Sequence, residues 1–195
     1  LGHTSGISEL AQMPELRAMK LMRNTTATRD DVYKVINPHP FQFPTGTMQA
    51  YSNWGFWLLG LIIEKASGMT YEDYVEKKIF GPLGMSRSMY CNNSENIPRR
   101  AYGYGMRSAP PRRVPEMVHT GTYAAGALCS TAEDMIAWLQ ALHGGKVLSP
   151  KSYAEMITPS KLNDGTPLRY SLGLLVAEDS RGLEYIGHGG GGFGF

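Results

Sequence analysis

The sequence predicts an α+β fold, with helices and loops over residues 1–169 and strands of an antiparallel sheet over 170–195. Three observations carry this. Capped helical periods recur as far as Ile157, strand-like runs appear only after Leu168, and one of the helices is apolar on nearly every face.

Residues 1–50 are loop-rich. The best helix signal there is Thr28 as N-cap, with Asp30 and Asp31 in the first turn, then Val32, Val35 and Ile36, stopped by Asn37-Pro38. Phe41-Gln42-Phe43-Pro44-Thr45-Gly46 reads as chain laid across a surface before a turn. A helix then runs from Ser52 or Asn53 to about Ala66, with Gly68 as its stop. Trp54, Phe56, Trp57, Leu58, Leu59, Leu61, Ile62 and Ile63 cover its faces, which predicts a central, buried helix. A further helix starts at Thr70, with Glu72 and Asp73 at its positive end, and stops before Gly81-Pro82. Residues 91–120, rich in Pro, Gly, Asn and Arg, predict a long surface excursion of the kind that often serves as a functional loop. Ser130-Thr131-Ala132-Glu133 reads as a capping box, opening an amphipathic helix that ends at His143-Gly144-Gly145. Ser149-Pro150 caps another, carrying Tyr153, Met156 and Ile157. Tyr170 to Ala177 and Leu183 to Ile186 are strand-like, joined by the turn Asp179-Ser180-Arg181-Gly182.

The chain has 195 residues, 42% hydrophobic and 18% charged, enough for a sizeable core. A formal charge of +2, with no basic stripe interleaved with aromatics, argues against a nucleic-acid partner. Arg99-Arg100 and Arg112-Arg113 read as solvated loop charges. The longest apolar run, Trp54 to Ile63, falls well short of the roughly 20 residues of a bilayer span, so no transmembrane segment is expected. Cys91 and Cys129 form neither a CxxC pair nor a zinc spacing; their pairing is not legible, and two buried or half-buried thiols are expected. No signal peptide is visible, and a chain that opens on Leu1 and stops at Phe195 in mid-pattern is expected to lack both true termini.

The candidate chemistry sits at Tyr51-Ser52-Asn53, where a loop enters the apolar helix, and at Gly187-His188-Gly189-Gly190 near the chain's end. Tyr-x-Asn alone is weak: roughly half a chance match is expected at average composition, and Tyr90-Cys91-Asn92 is a second match. Position separates them, because Tyr51 lies where a rigid helix start can aim its hydroxyl. Residues 187–192 match G-x-G-x-x-G in form, but the helix and acidic residue of a dinucleotide site are not seen after them, so that reading is not favoured. A glycine-rich backbone beside a strand suits close approach of a substrate to main-chain N–H groups. The five histidines show no metal spacing, and most are expected to be structural or exposed. There is no G-x-S-x-G.

As an ordered set these segments resemble the serine β-lactamase-related hydrolases, which include class C β-lactamases, D-alanyl-D-alanine carboxypeptidases, D-aminopeptidases and esterases. Leu1-Gly2-His3-Thr4-Ser5-Gly6-Ile7 is similar to the family's L-x-H-T-S-G-L. Phe43-Pro44-Thr45-Gly46-Thr47 followed by Tyr51-Ser52-Asn53 resembles its F-x-P-G-T…Y-S-N block, Thr45 departing from the usual spacing. Pro82-Leu83-Gly84-Met85 and the stretch from Ala125 to Met135 match two more of its segments.

The resemblance implies a β-lactamase/penicillin-binding-protein-like fold, here a helical lobe plus part of the antiparallel sheet, so a partial domain over 1–195. It implies an acyl-enzyme mechanism on an amide, peptide or ester, with a serine in S-x-x-K as nucleophile. Tyr51 would be the acid/base, Asn53 the positioning amide, His188 and Gly190 the third motif, and Gly191 an oxyanion donor. No cofactor or metal is implied, and the partner is a small-molecule or peptide substrate. Many members are periplasmic or secreted, while oligomeric state is not legible.

The chief departure is that no serine here has Lys three residues on. Thr158-Pro159-Ser160-Lys161 comes nearest, but the family's order puts the nucleophile ahead of H-T-S-G. The expectation is a nucleophile upstream of Leu1 and an inactive isolated fragment. His188 stands where β-lactamases and carboxypeptidases usually carry Lys, a permanent cation suited to a substrate carboxylate. This tilts the expected activity toward D-aminopeptidase or esterase chemistry. The alternative is a non-catalytic relative that binds peptide or cell wall in the same cleft.

Overall fold

The computed structural model describes residues 1–9, 27–91, 96–105, 110–115 and 119–192. Helix α1 (Arg29–Ile36) starts as its sequence requires: the Thr28 hydroxyl accepts the Asp31 N–H, and the Asp31 carboxylate accepts the Thr28 N–H at 2.9 Å. Helix α2 (Asn53–Ser67) is capped by Ser52 and closed by Gly68, whose N–H reaches the Glu64 carbonyl at 2.9 Å. Helix α3 (Tyr71–Val75), capped by Thr70, runs on into a π-helical turn at Glu76–Phe80. Helix α4 (His119–Thr122) passes into a 3₁₀ turn at Tyr123–Ala125. Helices α5 (Ala132–His143) and α6 (Pro150–Ile157) follow.

The strands form three antiparallel ribbons: β1 (Met89–Tyr90) with β4 (Leu128–Cys129), β2 (Tyr104–Gly105) with β3 (Arg112–Arg113), and β5 (Leu175–Glu178) with β6 (Glu184–Gly187). In the last, Leu175 faces Gly187 and Glu178 faces Glu184. The Asp179 carboxylate ties its turn, accepting the Arg181 and Leu183 N–H groups at 2.8 and 3.1 Å.

The core gathers Val32 and Ile36 of α1, Trp54 and Trp57 of α2, Tyr71 and Val75 of α3, with Phe80, Met85, Tyr90 and Tyr123. Gly60 lets α2 come against the 3₁₀ turn, since a Cβ there would lie 2.4 Å from Tyr123 Cε1 and 2.6 Å from Ala124 Cβ. An ion pair of Arg29 with Glu64 links α1 to α2, and the same Glu64 carboxylate accepts the Tyr71 N–H at 2.8 Å. The second half of α2 is therefore held by α1, the 3₁₀ turn and the start of α3, and its first residue is Asn53.

Four expectations need correction. The predicted strand over 170–177 is regular only from Leu175; before it, Ser171 N–H turns back to the Leu174 carbonyl at 2.8 Å, with Gly173 in the left-handed region at φ +82°. Helix α2 is not apolar-and-buried all round: Trp54, Trp57 and Gly60 are buried, while Ile62 is 60% exposed. The α5 cap is Thr131, not Ser130; the Thr131 hydroxyl takes the Asp134 N–H, and Ser130 instead pairs with Ser88 at 2.8 Å. Cys91 and Cys129 are not thiols but a disulfide, with Cα atoms 5.4 Å apart across the β1–β4 ribbon. Part of the 91–120 excursion lies outside the described residues; within it, Arg112 and Arg113 form β3, and the Arg113 guanidinium sits 3.4 Å from the Tyr102 ring centroid. Among the described residues no helix is long and apolar enough to cross a membrane.

Candidate active site

The first N–H groups of a helix have no acceptor within it, so whatever takes them fixes the helix start. At α2 three are taken. The Ser52 hydroxyl accepts the Gly55 N–H at 3.2 Å. The Glu9 carboxylate accepts the Asn53 N–H at 2.5 Å, and Nδ1 of His3 accepts the Ser52 N–H at 3.1 Å. Two of the three acceptors thus come from residues 1–9, a segment laid against 42–50 by the bonds Gln42 N–H to Gly6 carbonyl, Gly46 N–H to Thr4 carbonyl and Ala50 N–H to His3 carbonyl, at 2.8 to 2.9 Å.

This capping also orients the Asn53 amide. Its Nδ2 donates to the second Glu9 oxygen at 3.1 Å, which turns Oδ1 the other way. There the Tyr51 hydroxyl donates to it at 3.2 Å. The phenol and the amide therefore act as one unit, joined by a hydrogen bond.

Tyr51 is 44% exposed. Its ring centroid lies 4.3 Å from that of His3 and 6.1 Å from that of His188. Tyr170 stands edge-on to both imidazoles, at 5.1 Å from His3 and 6.0 Å from His188. Burial raises the Tyr51 phenol above its ordinary value, and Tyr170 and Glu9 push the same way, so at neutral pH it is a proton donor. Burial lowers the His3 imidazole to about 4. His3 is accordingly neutral, and since Nδ1 accepts from Ser52, its proton lies on Nε2.

His188 follows β6 on exposed backbone, and its Nδ1–H donates to the Gly189 carbonyl at 2.5 Å. A Cβ on Gly187, Gly189 or Gly190 would meet open space, so no close packing within the described residues requires glycine there. Gly190 and Gly191 are exposed, and among the described residues their N–H groups have no hydrogen-bond partner. Among the described residues no cluster of three or more His, Cys, Asp or Glu is placed to hold a metal ion.

The structure thus brings Tyr51, Asn53 and His188 into one cluster, with Gly190 and Gly191 on the adjoining exposed stretch. Tyr90, of the second Tyr-x-Asn, is 7% exposed and donates to the His119 carbonyl at 3.2 Å inside the core. Three members of the cluster escape sequence reasoning: His3, Glu9 and Tyr170. A histidine among small residues in Leu1–Ile7 was the available signal for His3, but its partner lies 49 residues on.

The sequence model of the family described as Beta-lactamase matches residues 1–195. The chain belongs to the beta-lactamase family. Its α+β fold is shared by a D-stereospecific amidohydrolase from Streptomyces sp., which this family member matches with a TM-score of 0.81 at 29% identity, over 100% of this chain and 60% of that one. A Bacillus subtilis (strain 168) protein named as penicillin-binding protein PbpX is 32% identical over 192 residues, 97% of this chain and 43% of its own length. A Gluconobacter oxydans (strain 621H) D-aminopeptidase is 27% identical over 151 residues, 76% of this chain and 28% of its own length. The chain thus spans less than half the length of these two relatives.

Proposed function

We propose that this chain carries the proton-transfer and substrate-facing part of a serine hydrolase that works through an acyl-enzyme, with D-amino-acid amides and peptides as the favoured substrate class. The observation that carries it is the Tyr51 hydroxyl on Asn53 Oδ1 at 3.2 Å, with the His188 ring centroid 6.1 Å from that of the phenol. The named activities of the Streptomyces and Gluconobacter relatives, and a histidine where a lysine would favour a carboxylate, support the substrate class.

In this reading the serine comes from an S-x-x-K segment outside these 195 residues. With Tyr51 starting as the phenolate, the serine Oγ bonds to the substrate carbonyl carbon while its proton passes to the Tyr51 oxygen; the amine then leaves with that proton, which restores the phenolate, and water repeats the sequence to release the acid. A phenol raised by burial cannot begin as the base unless a cation stands beside it, and the S-x-x-K lysine would be that cation. Asn53, fixed by Glu9, would position lysine and substrate amide. The N–H of Gly191 would bind the oxyanion.

The test is labelling with a serine-reactive fluorophosphonate, together with turnover of D- and L-phenylalanine amide. The whole protein is expected to label at one serine and to prefer the D-amide, and the 195-residue chain alone to do neither. Stoichiometric labelling of the chain alone at one residue would overturn the assignment, and a preference for the L-amide would overturn the substrate class.

A further inference from the structure

Two costs are concentrated on His3. It is a non-glycine residue in the left-handed region, at φ +59°. It is also 5% exposed, with an Nε2 that finds no hydrogen-bond partner among the described residues. Strain and an unpaired buried donor persist where the surroundings impose them, and they gather at working sites. Filling the same space with an apolar side chain would remove the second cost, so what the imidazole supplies has to be its other nitrogen.

We infer that His3 is a positioning residue for the Tyr51–Asn53 pair, acting through the hydrogen bond from the Ser52 N–H to its Nδ1 and through the face of its ring against the Tyr51 phenol. Ser52 lies between the two functional residues and is 2% exposed, so its N–H cannot be satisfied by bulk water. With that N–H fixed at 3.1 Å on His3, the backbone between phenol and amide has a set direction. The ring at 4.3 Å closes one side of Tyr51, and Phe56 and Tyr170, at 5.2 and 5.1 Å, hold the imidazole in turn. The imidazole itself takes no part in the chemistry. Its role is to keep the phenol oxygen where a proton can be passed.

This deepens the function proposed above and rests on it for its kinetic arm, so the test has a second arm that does not. His3→Asn keeps an acceptor close to the position of Nδ1 and, as asparagine, tolerates a positive φ. His3→Gly tolerates the backbone but removes the acceptor. In the whole protein, His3→Gly is expected to lose about 10²-fold in kcat on D-phenylalanine amide, the scale of an ångström-sized misplacement, with KM within about threefold of wild type. His3→Asn is expected to recover most of that loss. Equal kcat in His3→Gly and wild type, or His3→Asn as slow as His3→Gly, would overturn the proposal. Independently of turnover, ¹⁵N spectra of the wild type are expected to show His3 unprotonated at Nδ1, and Ser52 amide exchange to be slow in wild type and His3→Asn but fast in His3→Gly. A proton on Nδ1, or fast Ser52 exchange in wild type, would sink the assignment even in an active enzyme. If the wild type is inactive on every amide while the spectra are as expected, the hydrolase reading fails and the positioning contact stands.

Discussion

Glu9 and Asn53 meet through both oxygens of one carboxylate, which takes the backbone N–H of Asn53 at 2.5 Å and its side-chain Nδ2 at 3.1 Å. One side chain thereby caps a helix and chooses which face of an amide looks toward Tyr51. An acidic group near the positive end of α2 is favoured for both reasons.

Glu9→Gln replaces one of those acceptors with a donor and removes the charge. The helix start is expected to lose about 1–2 kcal/mol, the range of a lost cap, read as a lower urea midpoint at unchanged m-value. The Asn53 amide is also released to flip, so turnover is expected to fall more than stability predicts. An unchanged midpoint would show that the carboxylate is replaceable by solvent at this cap.

What was legible in advance follows the range of each interaction. Thr28 and Ser149 act on N–H groups a few residues away and cap the helices expected of them, while Ser52 and Thr70, read as helix starts, are caps as well. Gly68 and the turn at Asp179–Gly182 are likewise local. The misreadings involve distant partners. Ile62 looks buried by pattern, but whether a helix face is covered depends on what packs there. Cys91 meets Cys129 only because β1 pairs with β4, 38 residues later. Tyr51, Asn53 and His188 were found through ordered motifs, whereas Glu9 and Tyr170 carry no local mark, and their place in the cluster depends on segments 44 and 119 residues away from Asn53 and Tyr51, of which only the first spacing is a hydrogen bond.

The Cys91–Cys129 link closes a 38-residue separation between the ends of a two-residue ribbon. Constraint of the unfolded chain by a loop of this size contributes about 2–4 kcal/mol. Reduction with dithiothreitol is therefore expected to lower the urea midpoint by a corresponding amount, and the double variant Cys91→Ser/Cys129→Ser to be insensitive to the reductant. Thiol titration under denaturing conditions is expected to find no free cysteine before reduction. Such a link persists in oxidising compartments. Two reactive thiols in unreduced protein would contradict the pairing.

The pH response of His3 has a definite sign. An imidazole ordinarily titrates near 6.5, and burial brings this one to about 4. Below 6.5 the unfolded chain takes up a proton that the native state does not accept until near 4. Since stability rises with pH wherever the unfolded state binds more protons, His3-linked stability is present above 6.5, falls as the pH drops from 6.5 to 4, and is gone below that. The titratable groups facing the ring are Tyr51, Tyr170 and His188, and Glu9 reaches it only through Asn53. Thermal midpoints across that window are expected to slope more steeply in the wild type than in His3→Asn. Equal slopes would mean that His3 titrates normally in the native protein.

The two Tyr-x-Asn tyrosines offer the sharpest contrast, because they share a local sequence and differ only in where the fold puts them. The Tyr51 ring is 44% exposed with its hydroxyl on a side-chain amide; that of Tyr90 is 7% exposed with its hydroxyl on a main-chain carbonyl. Burial raises both phenols, Tyr90 far more strongly, so neither is ionised at neutral pH. Tyr51→Phe is expected to cost about 10²–10⁴-fold in kcat, the range of a lost proton-transfer group, with little change in thermal midpoint. Tyr90→Phe leaves a buried carbonyl short of a donor and is expected to cost about 1–3 kcal/mol in stability, with kcat near that of wild type. Steady-state kinetics and urea denaturation of the two variants decide this together. If Tyr90→Phe lost turnover while Tyr51→Phe kept it, the site would have been placed at the wrong tyrosine.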